Sequence, residues 1–320
     1  MNRRQLIKQA GFAAAAFAMS RDLFATTNST LSSGSSLNNI IYLGSNENPY
    51  GPSKSAQQAM MDELLTTNRY QWAESSKLVK AIAQKHGVTD KNVLLGAGSS
   101  ELLGLTTQLA SLSNNTLIAP DPTFRIWTNA VVHMGLKIKW IPLTATKDTD
   151  LAAMQAAIDA DTGMIYLCNP NNPTGIPIPD QDLRNFIKAI PRNIIILMDE
   201  AYTEFEDTPS TVDMIHEFPN IVVAKTFSKI YGLAGARVGY LLGNEKMITQ
   251  LANLQPWQNA GASALSVAAA LATIQDQDFV RHCRTENAKS RGIFQKGLTD
   301  LGLMHTPSVT SFAYFDTANY

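Results

Sequence analysis

The sequence predicts an α/β fold: a large domain on a mostly parallel, seven-stranded sheet sandwiched by helices, with a smaller α/β domain beside it. Three observations predict it. From Val93 onward short apolar runs alternate with helical stretches. Several of the runs are continuously apolar rather than alternating, as strands covered on both faces are. Four separate segments each end a strand or open a helix, the edge at which α/β sheets bind ligands.

Taken in order, the expected strands are Val93–Gly96, Thr116–Ala119, Ile138–Pro142, Met164–Cys168, Ile194–Asp199, Ile221–Lys225 and Val238–Leu242. The periodic stretches Ser100–Leu112, Leu151–Ala160 and Asp180–Ala189 supply crossover helices, which right-handed parallel connections require. Ala262–Ile274 begins a long, Ala-rich helix leading away from the sheet. The expected organisation is therefore an N-terminal signal and linker (1–30), an arm contributing to the smaller domain (31–72), the large domain (73–261), and an interdomain helix with the rest of the smaller domain (262–320). The sequence stops at Tyr320, by the apolar stretch Ser311–Phe315, with no helix or turn closing it. The smaller domain is expected to be incomplete, and a truncated sequence is expected over a designed shortening, because an unpartnered apolar strand would expose apolar surface and backbone groups.

At 320 residues and 45% hydrophobic content the chain can bury a large core. Its 26 Lys and Arg balance 27 Asp and Glu, so there is no basic footprint for nucleic acid, and small-molecule partners are expected. Cys168 and Cys283 are expected to be free thiols; His282 adjoins Cys283, but no second Cys or His completes the spacing that a metal site needs. Arg3-Arg4-Gln5-Leu6-Ile7-Lys8 precedes the apolar run from Ala10 to Met19, a pattern similar to a twin-arginine export signal, although Leu6 stands where that pattern prefers Phe. The run is too short to be a permanent membrane span. Cleavage near Ala25 and a periplasmic location are the expectation, with a cytoplasmic location if the signal is not used.

The chemistry lies in four segments. Gly96-Ala97-Gly98-Ser99-Ser100-Glu101 lets backbone approach an anion at a helix N-terminus. Asn169-Pro170-Asn171-Asn172-Pro173-Thr174-Gly175 is a rigid turn that can aim one amide inward. The run ending in Asp199-Glu200-Ala201-Tyr202 places a carboxylate at a strand end. A nucleotide hydrolase would also need a Gly-x-x-x-x-Gly-Lys-Ser/Thr loop upstream, and there is none. Finally, Thr226-Phe227-Ser228-Lys229-Ile230-Tyr231-Gly232-Leu233-Ala234-Gly235-Ala236-Arg237 sets a lysine among small and apolar residues. There its pKa can fall and the amine can act as a nucleophile, with Arg237 available for a phosphate.

In this order the motifs resemble the fold-type-I aminotransferases that depend on pyridoxal 5′-phosphate. Ser45-Asn46-Glu47-Asn48-Pro49-Tyr50-Gly51-Pro52 and Asn68-Arg69-Tyr70 add a likeness to the histidinol-phosphate aminotransferase subgroup. The resemblance runs from about Leu43 to the end of the chain. It implies that Lys229 forms the imine with the cofactor, acts as general base and acid at the substrate carbon, and supports ping-pong kinetics. Asp199 would pair with the ring nitrogen, and Asn172 and Tyr202 with the ring's phenolic oxygen. Phe124 would stack on the ring, with Trp127 the alternative; the family has Tyr or Trp there, but Phe still offers a π-face. Ser99, Ser100, Thr226, Ser228 and Arg237 would hold the phosphate. Tyr70 would reach that phosphate from the partner subunit of a homodimer, and Tyr50 and Asn172 would line the substrate pocket. The substrates implied are an amino acid or amino alcohol phosphate and a 2-oxo acid.

Two tensions follow from the resemblance. The family's substrate-binding arginines fall beyond Tyr320 on this alignment, which keeps a catalytically impaired ligand-binding remnant open as an alternative, beside a decarboxylase or lyase on the same fold. Export also conflicts with a cytoplasmic biosynthetic role, so an enzyme acting on an amino acid or amine is the favoured reading.

Overall fold

The computed structural model describes residues 43–113 and 116–317, apart from the side chains of residues 129 and 130. The export signal expected over residues 1–30, and most of the arm up to residue 42, lie outside the described residues. Among the described residues, α1 (Lys54–Glu63) and α2 (Trp72–His86) precede the sheet. Ser53 caps α1 by accepting from Ala56 N, and Gly87, at φ 64°, ends α2 in the left-handed conformation that glycine adopts without strain.

The sheet is then laid down as β1 (Val93–Gly96), β2 (Thr116–Asp121), β3 (Lys137–Pro142), β4 (Thr162–Cys168), β5 (Ile195–Asp199), β6 (Ile221–Thr226) and β7 (Gly239–Gly243). Its spatial order is β1-β7-β6-β5-β4-β2-β3, parallel throughout except that β7 runs against both neighbours. Helices α3 (Ser99–Ser111), α4 (Thr128–His133), α5 (Leu151–Ala156) and α6 (Asp180–Ala189) lie between strands β1 to β5. After β7 come α7 (Glu245–Ala252), α8 (Ala264–Gln275) and α9 (Gln277–Asp300). The expected strands are thus all present. Helix Leu151–Ala160 is the main difference: it stops at Ala156, because Asp159 turns the chain by accepting from Thr162 Oγ1 at 2.8 Å and Asp161 N at 3.2 Å.

Alternation along the strands divides the interior into two cores. Leu94, Leu117, Tyr166, Leu197 and Leu241 face one side, where they meet Leu102 and Leu103 of α3. Val93, Leu95, Ile118, Ile165, Ile196 and Val223 face the other, against Ile82 of α2 and Leu183, Phe186 and Ile187 of α6. Because β1, β4, β5 and β6 run the same way, their C-terminal ends share one edge of the sheet. The start of β7 joins them there, Gly239 pairing with both Gly96 and Thr226. Among the described residues, no helix is long and apolar enough to cross a membrane.

Candidate active site

Each of the four motifs opens from that shared edge. β1 passes into α3 through Gly98, whose φ of 82° and ψ of 164° belong to a region that only glycine occupies freely. A Cβ on Gly98 would stand 2.9 Å from Cζ of Arg237. One on Gly239 would stand 2.7 Å from the amide nitrogen of Ser99. The missing side chains therefore keep the helix N-terminus bare beside a guanidinium. Arg237 donates to Ala234 O at 3.0 Å, Ala97 O at 3.4 Å and Ser228 Oγ at 3.5 Å. Thr226 Oγ1 donates to Ser228 Oγ at 2.9 Å and accepts from Ser228 N at 3.1 Å. Helix amides, two hydroxyls and a guanidinium together make an anion cup.

The asparagines after β4 divide their work. Asn169 Oδ1 accepts from Ile178 N at 2.8 Å. Asn171 accepts from Thr123 Oγ1 at 2.8 Å and donates to Pro122 O at 3.1 Å, which ties this loop to the turn bearing Phe124. Asn172 alone turns its amide to Tyr202, donating to the hydroxyl at 3.2 Å. Asn46 Nδ2 donates to the same oxygen at 3.0 Å. With both amides donating to it, the hydroxyl keeps its own proton to donate elsewhere.

Asp199 is 3% exposed, and its hydrogen-bond donors are neutral: Tyr166 OH at 3.0 Å and Ala201 N at 3.2 Å. Burial pushes its carboxyl up to about 6. Lys229 Nζ lies 5.6 Å from the centre of the Tyr202 ring and donates to Ser45 O at 2.8 Å. Burial lowers its pKa, against the opposing charges of Asp199 and Glu47. An acid raised and an amine lowered at one strand edge are the kind of perturbation that active sites show.

The profile of the family aminotransferase class I and II matches residues 38–319. Similar proteins include the histidinol-phosphate aminotransferase of Geobacillus sp., 34% identical over 283 residues that are 88% of this chain and 77% of the relative. That of Lysinibacillus sphaericus is 35% identical over 286 residues, with the same coverage. A solved structure of histidinol-phosphate aminotransferase from Sinorhizobium meliloti in complex with pyridoxal-5′-phosphate superposes with a TM-score of 0.81 at 30% identity, covering 86% of this chain and 75% of that one. The chain belongs to the class I and II aminotransferases. It is a transaminase of amino and keto acid substrates, its cofactor is pyridoxal 5′-phosphate, and these likenesses favour amino-group transfer over decarboxylation, elimination or a ligand-binding remnant.

The residues of this aminotransferase fit that cofactor. The glycine-lined cup suits its phosphate, and a Cβ at Gly98 or Gly239 would fill the approach. Asp199, buried among neutral donors, suits a cationic ring nitrogen, and the free hydroxyl proton of Tyr202 suits a phenolate. Phe124 is half-buried, whereas Trp127 is 4% exposed and packs edge-on against Tyr166 at 4.8 Å. Two expected residues are exposed in the single chain. Tyr50 is exposed, its ring 4.9 Å from that of His282. Tyr70 is 73% exposed and stacks on Trp72 at 5.3 Å, beside Trp257 at 5.8 Å. Sequence reasoning passed over Asn46 and Tyr166. Asn46 stands 156 positions from its partner, and Tyr166 lies in a strand otherwise apolar from Met164 to Cys168, where a buried hydroxyl was itself a signal.

Proposed function

We propose that Lys229 carries the cofactor and moves the substrate proton, and that the donor is an amino acid or amino alcohol phosphate and the acceptor a 2-oxo acid. The observation that carries this reading is the convergence of Lys229, Asp199, Tyr202 and the Gly98–Arg237 cup on one sheet edge. Ser99, Ser100, Thr226, Ser228 and Arg237 would hold the phosphate. Asp199 would face the ring nitrogen, Tyr202 and Asn172 the phenolic oxygen, and Phe124 rather than Trp127 the ring face. Bound there, pyridoxal 5′-phosphate supplies an electron sink for the charge left when the substrate Cα loses a proton. Lys229 Nζ takes that proton, and its lowered pKa keeps a larger share of the amine neutral and able to accept it. The Asp199 carboxylate holds positive charge opposite it, and Tyr202 OH donates toward negative charge on its own side.

In this reading the enzyme works as a homodimer, Tyr70 reaching the partner's phosphate cup and Tyr50 lining the substrate pocket. Residues 262–320 would supply the interdomain helix and, with the arm 31–72, an incomplete smaller domain. The paired arginines near the N-terminus support export to the periplasm, and with it an amino acid or amine donor. The deciding experiment is the absorption spectrum of the purified enzyme and of Lys229→Ala, before and after adding amino acids and histidinol phosphate. A visible, borohydride-reducible band in wild type only, bleached by one donor, supports the reading and names the donor. A band that persists in Lys229→Ala as a borohydride-reducible adduct overturns the lysine assignment. Cell fractionation with Arg3→Lys/Arg4→Lys tests export: an unchanged distribution refutes it.

A further inference from the structure

Lys225 stands immediately before Thr226, but strand alternation turns it to the opposite face of the sheet from Thr226 and Asp199. It is 3% exposed. Its ammonium donates to Thr203 Oγ1 at 2.7 Å and Glu204 Oε1 at 3.2 Å, and lies 3.2 Å from Glu200 Oε2. All three acceptors come from the turn 200–204, which has Tyr202 at its centre. Glu200 is held in turn by Ser210 Oγ at 2.6 Å, Thr211 N at 2.8 Å and Thr211 Oγ1 at 2.9 Å, so its carboxylate is saturated. Arg284 Nε donates to Glu204 O at 2.9 Å, and Lys85, His86, Tyr231 and Tyr240 are further titratable groups whose charge couples to this cluster.

A buried ion pair is weak evidence for stability, since well-packed apolar residues often serve as well. What this one does is directional. It joins the end of β6, where Thr226 leads on to Ser228 and Lys229, to the turn carrying Tyr202, through three bonds whose side chains are buried apart from that of Glu204, which is 13% exposed. Glu200 N also donates to Ala224 O at 2.9 Å and Tyr202 packs in the shared core, so the ion cluster is the side-chain part of this link. Without it the turn would loosen, and the hydroxyl of Tyr202 would shift relative to Asn46, Asn172 and Lys229.

We propose that Lys225 is a positioning residue, a buried clasp that fixes the Tyr202 hydroxyl relative to Lys229. This rests on the site assignment made above. The test is the pH titration of the visible band of the holoenzyme, with thermal unfolding alongside, for Lys225→Met, Lys225→Arg, Tyr202→Phe and Lys225→Met/Tyr202→Phe. Loss of the Tyr202 hydrogen bond should raise the midpoint by about one pH unit, a tenfold change in the proton equilibrium. Lys225→Met should raise it by at least about half as much as Tyr202→Phe, should add nothing on the Tyr202→Phe background, and should be largely rescued by Lys225→Arg. If Lys225→Met does not accumulate, Thr203→Val removes one acceptor and no charge and should shift the midpoint the same way by less. A lower unfolding temperature with an unmoved midpoint in these variants overturns the clasp. Failure of the site assignment looks different: the band itself survives Lys229→Ala.

Discussion

Gly98→Ala isolates the phosphate cup from the rest of the enzyme. At φ 82° and ψ 164° the backbone stands where an alanine costs on the order of 1–3 kcal/mol. Spread over a chain of 320 residues, that lowers the unfolding temperature by only a few degrees. The new Cβ would lie 2.9 Å from Cζ of Arg237, against an ordinary contact of about 3.5–4.0 Å, so the guanidinium must retreat by roughly 1 Å. It is the free end of a flexible side chain, so it yields and the helix does not. Retreat removes a charge-assisted contact to the phosphate of about 1.5–3 kcal/mol, or roughly 10- to 100-fold in affinity.

The assay is titration of the cofactor-free protein with pyridoxal 5′-phosphate, read by absorption, for Gly98→Ala, Arg237→Ala and the double variant. Gly98→Ala should approach Arg237→Ala in affinity, and the two changes should not add. Gly104→Ala is the control: it lies mid-helix in α3 with nothing within 4 Å of the added Cβ, so it should stabilise by about 0.5–1 kcal/mol and leave affinity alone. Wild-type affinity in a folded Gly98→Ala protein, or full additivity with Arg237→Ala, would refute the reasoning.

Three further outcomes are expected. The carboxyl of Asp199 is raised to about 6 by burial, so the folded protein binds its proton before the unfolded chain does. Stability of the cofactor-free enzyme therefore falls as pH rises from about 4 through 6, by at most about 3 kcal/mol. Asp199→Asn should remove that slope in urea unfolding, and a wild-type slope in the variant places its origin elsewhere. His86 is pushed down to about 3 by burial and by the charges of Lys225 and Lys85, so the unfolded chain takes a proton below about pH 6.5 that the folded one refuses. Stability is then lost on acidification. His86→Gln should lessen that acid loss, and an NMR midpoint near 6.5 for His86 would contradict it. If Tyr70 acts across a dimer, mixing Lys229→Ala with Tyr70→Ala subunits should restore wild-type cofactor affinity to a fraction of sites; no restoration on verified subunit exchange removes Tyr70 from the cup.

The sheet was legible because most of its strands are continuous apolar runs, and a run buried on both faces needs no partner information to be recognised; the edge strand β3, with Lys137 and Lys139, is the exception. The antiparallel β7 was not, since Gly239–Gly243 reads like any other core strand and only pairing across the sheet gives its direction. The helix after Leu151 was overextended because apolar periodicity continues past Ala156 while the Asp159 turn ends it. At the site, residues with a local signature were read directly: the Gly96–Glu101 loop of the cup, the lysine among small residues, the carboxylate at a strand end. Residues whose role depends on a distant partner were not. Asn46 and Tyr202, or Lys225 and Glu200, become neighbours only when the strands assemble.

The same assembly explains why the informative residues come in adjacent pairs. Neighbours on an extended chain point opposite ways, so at the edge of a sheet one member of a pair can face the ligand while the other ties the edge together. Asp199 faces Tyr166 and Glu200 turns away to Lys225; Thr226 joins the cup and Lys225 turns away to Glu200. In the turn after β4, which is not extended chain, a similar division holds: Asn172 reaches Tyr202 while Asn171 fastens its own loop to the Phe124 turn. Reading only the member that faces the chemistry identifies the reaction. The precision of the site depends equally on the other member, and substitutions there should alter the tuning of the cofactor before they abolish its binding.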